Sequence, residues 1–148
     1  MDNLCKLGFL GAEIINKNQS LHTNTALVFA NSSSSLDTDR KHQAAINDDG
    51  FVSPATFVYT LPNIILGELS IRHHLQSENM FFITPTFDAN TLVEYTKALM
   101  QEQSAEHYLL GWIDVDNMSY TAFLCLISQG GKFPLNVTNL NKAFRNLL

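Results

Sequence analysis

The chain has 148 residues, 45% of them hydrophobic and 16% charged, with ten Phe, a formal net charge of -5 and a pI near 5.4. That is enough length for a real core and a globular rather than disordered composition. No Lys/Arg run is present, no apolar run reaches membrane-span length, and the start "MDNLCKLGFLGAEII" lacks a small-residue cleavage site, so neither nucleic acid, membrane nor export is expected and the chain reads as cytoplasmic.

In chain order, Leu4, Leu7, Gly8, Gly11, Ile14 and Ile15 form one apolar stripe at helical spacing over residues 2–16, with Asp2 or Asn3 as cap. The two glycines would let another element approach closely, at a cost in helix propensity. "TALVFAN", Thr25 to Asn31, is a continuous apolar run and reads as a buried strand. "SSSSLDTDRKHQAAI" follows as a polar loop entering a short helix; its serines resemble an anion nest but lack the glycines of a phosphate loop. Residues 48–60 read as a turn and an extended segment, punctuated by Gly50 and Pro54.

"LPNIILGELSIRHHLQ" predicts a helix with Pro62 in its first turn. Its two apolar stripes, Leu61, Ile65 and Leu69 beside Ile64, Ile71 and Leu75, suit a helix buried on several sides or placed at a subunit interface. Asn79 to Pro85 predicts a second buried strand. The helix after it carries Ala89, Leu92, Val93, Thr96, Leu99 and Met100 on one face. His107 to Val115 and Ser119 to Ser128 predict an antiparallel hairpin turning at Asp116-Asn117, and "NLNKAFRNLL" a terminal helix. Strands alternating with crossover helices predict an α/β fold with a mainly parallel sheet, helices on its faces and a C-terminal antiparallel hairpin. No linker or repeat interrupts residues 1–148, which read as a single domain.

Chemistry-bearing residues are few. Cys5 and Cys125 lie in apolar surroundings with no CxxC partner and read as inert thiols rather than a disulfide. Side chains of adjacent helical residues diverge, so His73-His74 is no shared metal site, and neither metal nor cofactor is expected. The feature that asks for explanation is the strand-turn-helix "FFITPTFDANTLVEYTKALM". A turn at a helix N-terminus favours negative charge and is where a thiolate would be activated. Its residues are Thr84-Pro85-Thr86-Phe87-Asp88-Ala89-Asn90-Thr91, without Cys or Ser. Asp88 reads as an N-cap; as a general base or nucleophile it would need a raised pKa, whereas a helix N-terminus lowers it. Thr84, Thr86 and Thr91 lack an evident base, and none of His73, His74 and His107 can be assigned as one.

The stretch "FVYTLPNIILGELSIRHHLQSENMFFI", followed by that turn, resembles the N-terminal half of a β-ketoacyl synthase of the thiolase-like superfamily. Pro54, Thr60, Asn63, Gly67 and Ile71 match the family pattern P-x-x-x-x-x-T-x-x-N-x-x-x-G-x-x-x-I, and Leu92-Val93 fits the residues after the family's Ala-Cys-Ser-Ser-Ser type turn. "KALMQEQSAEHYLLGWIDV", "MDNLCKLGFLGAEII" and "TALVFANSSSSLDTD" resemble the neighbouring family segments, so the likeness covers roughly positions 1 to 128 and is strongest to small synthase-like proteins of aryl-polyene or flexirubin-type pathways. It implies a half thiolase-like fold, an acyl-chain context and a tendency to dimerise. The departures are an absent opening strand, an end before the half that carries the family's two catalytic histidines, and a family Cys that falls on Phe87 or Asp88, a degenerate nucleophile elbow with no catalytic residue.

The resemblance thus implies a catalytically inactive synthase-like partner or scaffold in fatty-acid, polyketide or aryl-polyene type biosynthesis. It would form a homo- or heterodimer with a catalytic synthase through Ile64, Ile65, Leu69 and Ile71 and the elbow strand. One alternative is a module that binds an acyl chain or acyl carrier protein, with a pocket lined by Phe57, Phe81, Phe82, Phe87 and Phe123 and an acidic carrier docking on Arg40, Lys41, Arg72 and Lys97. The other is an acyltransferase-type enzyme with a non-Cys nucleophile, Asp88 or a Thr. Phe87 would fill the space of an acyl thioester, or be a plain core residue. The terminal helix, with Leu140, Phe144, Leu147 and Leu148, would cover apolar surface that half a thiolase-like fold leaves open.

Overall fold

The apolar run Thr25–Asn31 is a strand, β1, buried along its whole length between two neighbours. The computed structural model describes residues 1–49, 53–117 and 119–146. Around β1 stand β2 (Asn79–Ile83), β3 (His107–Asp116) and β4 (Ser119–Ile127), in the sheet order β2-β1-β3-β4. β1 pairs in parallel with β2 and β3, and β3 pairs antiparallel with β4. The hairpin turns at Asn117, whose φ of 53° lies in the left-handed region that Asn tolerates better than most residues.

Among the described residues six helices accompany the sheet: α1 (Asn3–Asn18), α2 (Leu36–Asp49), α3 (Pro54–Val58), α4 (Ile64–His73), α5 (Ala89–Gln101) and α6 (Val137–Arg145). Strand alternation divides the core. Leu27, Phe29, Leu109, Ile113 and Val115 face α1 and α4; Ala26, Val28, Ala30, Leu110 and Trp112 face α5 and α6. α1 starts at the predicted cap, where Asp2 Oδ1 accepts the Cys5 N–H at 2.8 Å. Its glycines serve packing. A Cβ on Gly8 would stand 2.0 Å from Ile65 Cδ1, and one on Gly11 would stand 2.4 Å from Leu124 Cδ1. This close approach seats α1 between α4 and β4.

Four expectations need correction. The helix after the serine loop is not short, since α2 runs 14 residues to Asp49. Residues 54–58 are helical, not extended: Pro54 at the first helical position has its φ preset, and Phe57 N–H reaches Ser53 C=O at 3.1 Å. The expected turn at Gly50 lies outside the described residues. α4 begins at Ile64, leaving Pro62 before it rather than in its first turn, and closes at His74 with φ 54°. β2 is an edge strand with both ends exposed, not a buried one, because its 5 residues pair only with β1. Among the described residues no helix is long and apolar enough to cross a membrane.

Candidate functional site

The loops after β1 and β2 meet at the carboxyl ends of the parallel strands, where open α/β sheets place their ligands. Thr84 N–H donates to Asn31 C=O at 2.9 Å, tying the elbow to the end of β1. The serine run there does form an anion-binding concavity, and the protein fills it itself. The Asp114 carboxylate accepts from Ser33 N at 2.8 Å, Ser32 N at 3.1 Å, Ser32 Oγ at 2.9 Å and Ser33 Oγ at 3.1 Å. Buried Asn31 closes the loop by exchanging hydrogen bonds with the backbone of Ser34, whose φ is 50°.

At the elbow, Asp88 caps α5. Its Oδ1 accepts from Asn90 N at 2.9 Å and Thr91 N at 3.3 Å, and its Oδ2 from Thr91 Oγ1 at 2.6 Å. The Thr91 hydroxyl first, and then the two backbone donors, hold the carboxyl below its ordinary range. That is opposite to what a general base near neutral pH requires. Thr84 Oγ1 is engaged by Thr86 C=O at 2.9 Å. No residue from Thr84 to Asp88 has positive φ, so the turn lacks the backbone strain that presents a nucleophile in hydrolase elbows.

Phe87 points into an aromatic box. It stacks on Phe144 of α6, centroids 3.9 Å apart, and meets Trp112 and Phe123 edge-on at 5.9 and 5.8 Å. Such T-shaped and stacked pairs suit the ring quadrupoles. The space behind the elbow is therefore filled by side chains from α6, β3 and β4.

Of the predicted pocket residues, Phe87 and Phe123 come together here. Phe82 lies on the same sheet face against Tyr95, centroids 5.2 Å apart. Phe81 packs on the opposite face, in the α1–α4 core, and Phe57 is 60% exposed on α3. Among the described residues, none of the four principal cavities is lined by any of the five. Of the predicted interface residues, Ile65 and Leu69 are fully buried in the chain's own core, Ile64 packs partly against it, and Ile71 is 77% exposed. The four basic docking candidates each hold an acid: Arg40 with Asp116, Lys41 with Asp37, Arg72 with Glu13 and Lys97 with Glu94. Cys5 and Cys125 are free thiols, and burial raises the pKa of both. Among the described residues no group of three His, Cys, Asp or Glu gathers as a metal site.

Sequence reasoning missed the roles of Trp112 and Asp114, and placed Phe144 on a covering helix without foreseeing its stacking on Phe87, since these depend on contacts between distant segments. A signal for Asp114 existed in part: a serine nest wants an anion, and an acid at the end of a neighbouring strand can supply one.

No family model matches the chain, and no curated protein matches it. Solved structures do. The ishigamide ketosynthase/chain length factor superposes with a TM-score of 0.72 at 16% identity, over 91% of this chain and 46% of that one. A chain of the complex of the ketosynthase ApeO with its chain length factor ApeC, from Xenorhabdus doucetiae, gives 0.66 at 14% identity, over 89% and 59%. The chain thus spans about half the length of the solved chains it matches. At these identities the likeness speaks for architecture, and the architecture is a partial, ketosynthase-like half of the thiolase-like fold.

Proposed function

We propose that this chain is a catalytically inactive ketosynthase-like subunit, a single β-ketoacyl synthase N-terminal-like domain over residues 1–148. It would pair with a catalytic synthase in acyl-chain biosynthesis of the fatty-acid, polyketide or aryl-polyene type. An acyl carrier protein would then deliver substrate to the assembled pair. The observation that carries the reading is the occupied elbow. Where a condensing enzyme needs a nucleophile, Asp88 is committed to three hydrogen bonds from Asn90 and Thr91, and Phe87 is stacked into an aromatic box. A carboxylate held below its ordinary pKa is a weak nucleophile and a weak base.

The structural neighbours support the pairing, since both are ketosynthases described together with a chain length factor. So does the β2 edge. "NMFFI" has no charge, no Pro and no bulge to guard its unpaired backbone groups, and Ile83 is 57% exposed beside the elbow. Edge strands left this way accept another strand. Exposed Ile71 at the end of α4, on the segment that leads into β2, extends the apolar surface.

The test is the intact mass of the protein after incubation with an acyl-carrier thioester, beside Asp88→Ala. The unchanged mass is expected in both. A stoichiometric acyl adduct lost in Asp88→Ala would establish a working nucleophile and overturn the reading.

A further inference from the structure

The charges of this chain are unevenly placed. All 14 acidic residues lie at or before Asp116, and residues 117–148 contain Lys132, Lys142 and Arg145 with no Asp or Glu. The fold gathers this segment around one groove between β4, the loop after it and α6, at the sheet edge opposite β2. The groove has a volume of about 240 Å³ and walls formed by Cys125, Ile127, Phe133, Leu135, Leu140 and Ala143. Its volume lies below the roughly 300–1,000 Å³ of pockets that enclose drug-sized ligands, so it has room for a small ligand only.

Its rim is polar and cationic. Lys142 stands on the groove, and the Lys132 ammonium sits 5.7 Å from the ring centroid of Phe133, which is itself 70% exposed. Asn136 spends its Oδ1 capping α6, on Asn139 N at 2.8 Å. That bond fixes the amide orientation and leaves the Asn136 Nδ2 hydrogens without a partner among the described residues. The four basic residues predicted for docking are tied to acids, whereas no described acid pairs with Lys132, Lys142 or Arg145.

The geometry points to a binding site for a single-chain anionic amphiphile, a medium-chain carboxylate whose tail lies along Ile127, Leu140 and Ala143 and whose head meets Lys142 and the Asn136 amide. An apolar trough with Lys142, which no described acid pairs, at its rim is complementary to this class by both burial and charge. A free thiol on the wall, kept neutral by burial, fits an apolar lining and serves as an internal reporter.

The experiment titrates the full chain with decanoate below its micellar concentration, with decanol and decyltrimethylammonium as tail-matched controls. Affinity is read by calorimetry and groove occupancy by the alkylation rate of Cys125, mapped by peptide mass. Decanoate is expected to bind and shield Cys125, with decanol about tenfold weaker, the size of one charge-assisted hydrogen bond. Lys142→Glu should weaken decanoate about tenfold and leave decanol unchanged. Ala143→Phe, which fills the groove, should remove decanoate and decanol binding together, with the far-UV circular dichroism of the folded chain kept. Equal affinity for decanoate and decyltrimethylammonium, or no decanoate binding by folded wild type, overturns the proposal. So does co-sedimentation with phosphatidylglycerol vesicles without any binding of monomeric decanoate, which would assign the basic apolar patch to a membrane surface.

Discussion

Removing the Phe87 ring tests whether the elbow and α6 form one packed unit. Phe87 is half-buried and touches three aromatic rings. Truncating a fully buried Phe to Ala costs about 3–5 kcal/mol, so Phe87→Ala should cost about 2–3 kcal/mol after allowance for exposure. In a chain of this size that lowers the melting temperature by roughly 4–12 °C. Burial alone would give the same loss, so the discriminating quantity is the coupling to Phe144. A stacked pair contributes about 0.5–1.5 kcal/mol beyond area burial. Urea unfolding of wild type, Phe87→Ala, Phe144→Ala and the double variant closes the cycle. Trp112, the single Trp of the chain, lies 5.9 Å from Phe87 and reports by fluorescence. The double variant should lose less than the sum of the singles by about 0.5–1.5 kcal/mol. Additivity within about 0.3 kcal/mol would mean that α6 does not dock on the elbow, and the filled-elbow argument would fail.

Gly8→Ala should destabilise by about 1–2 kcal/mol, because the new methyl meets Ile65 and Ile113 in the core; Gly67→Ala, with open space around it inside α4, should stabilise by about 0.5–1 kcal/mol in the same melts. Asp88→Ala should cost about 1 kcal/mol as a lost N-cap. The folded pKa of Asp88 is depressed, so this difference is full above the ordinary value of 3.8 and fades as pH falls through the lower folded value; a difference that grows in acid would contradict the assignment. Ile83→Lys should guard the β2 edge, reducing concentration-dependent association in light scattering without a change in melting temperature; unchanged association would remove β2 from the interface.

Much of the fold could be read along the chain because its causes are local. Apolar runs located β1, β3 and β4, the caps at Asp2 and Asp88 are set by residues within one turn, and the alternation of strands with helices gave the parallel sheet and its closing hairpin. At the candidate site the absence of Cys and Ser, the Asp88 cap and an inward Phe87 were legible, because each belongs to the elbow segment itself. What occupies that place came from elsewhere: Trp112 and Phe123 from the hairpin and Phe144 from α6.

Pattern failed where tertiary position competes with local preference. "NMFFI" has the composition of an interior strand, but the strand order leaves it at the edge. Ile65 and Leu69 look like interface residues on their helix and are consumed by the chain's own core, whereas Ile71 on the same helix is not. The serine loop has the chemistry of an anion site, and only the β1–β3 pairing brings Asp114, 82 residues away from Ser32, to fill it. The sequence by itself determined the helix or strand type of most segments, residues 54–58 excepted, and that the elbow has no thiol, since those follow from neighbouring residues. Which surfaces are spent inside the chain and which remain for a partner was decided by the tertiary structure, because burial is a property of packing between elements and no window of residues contains it.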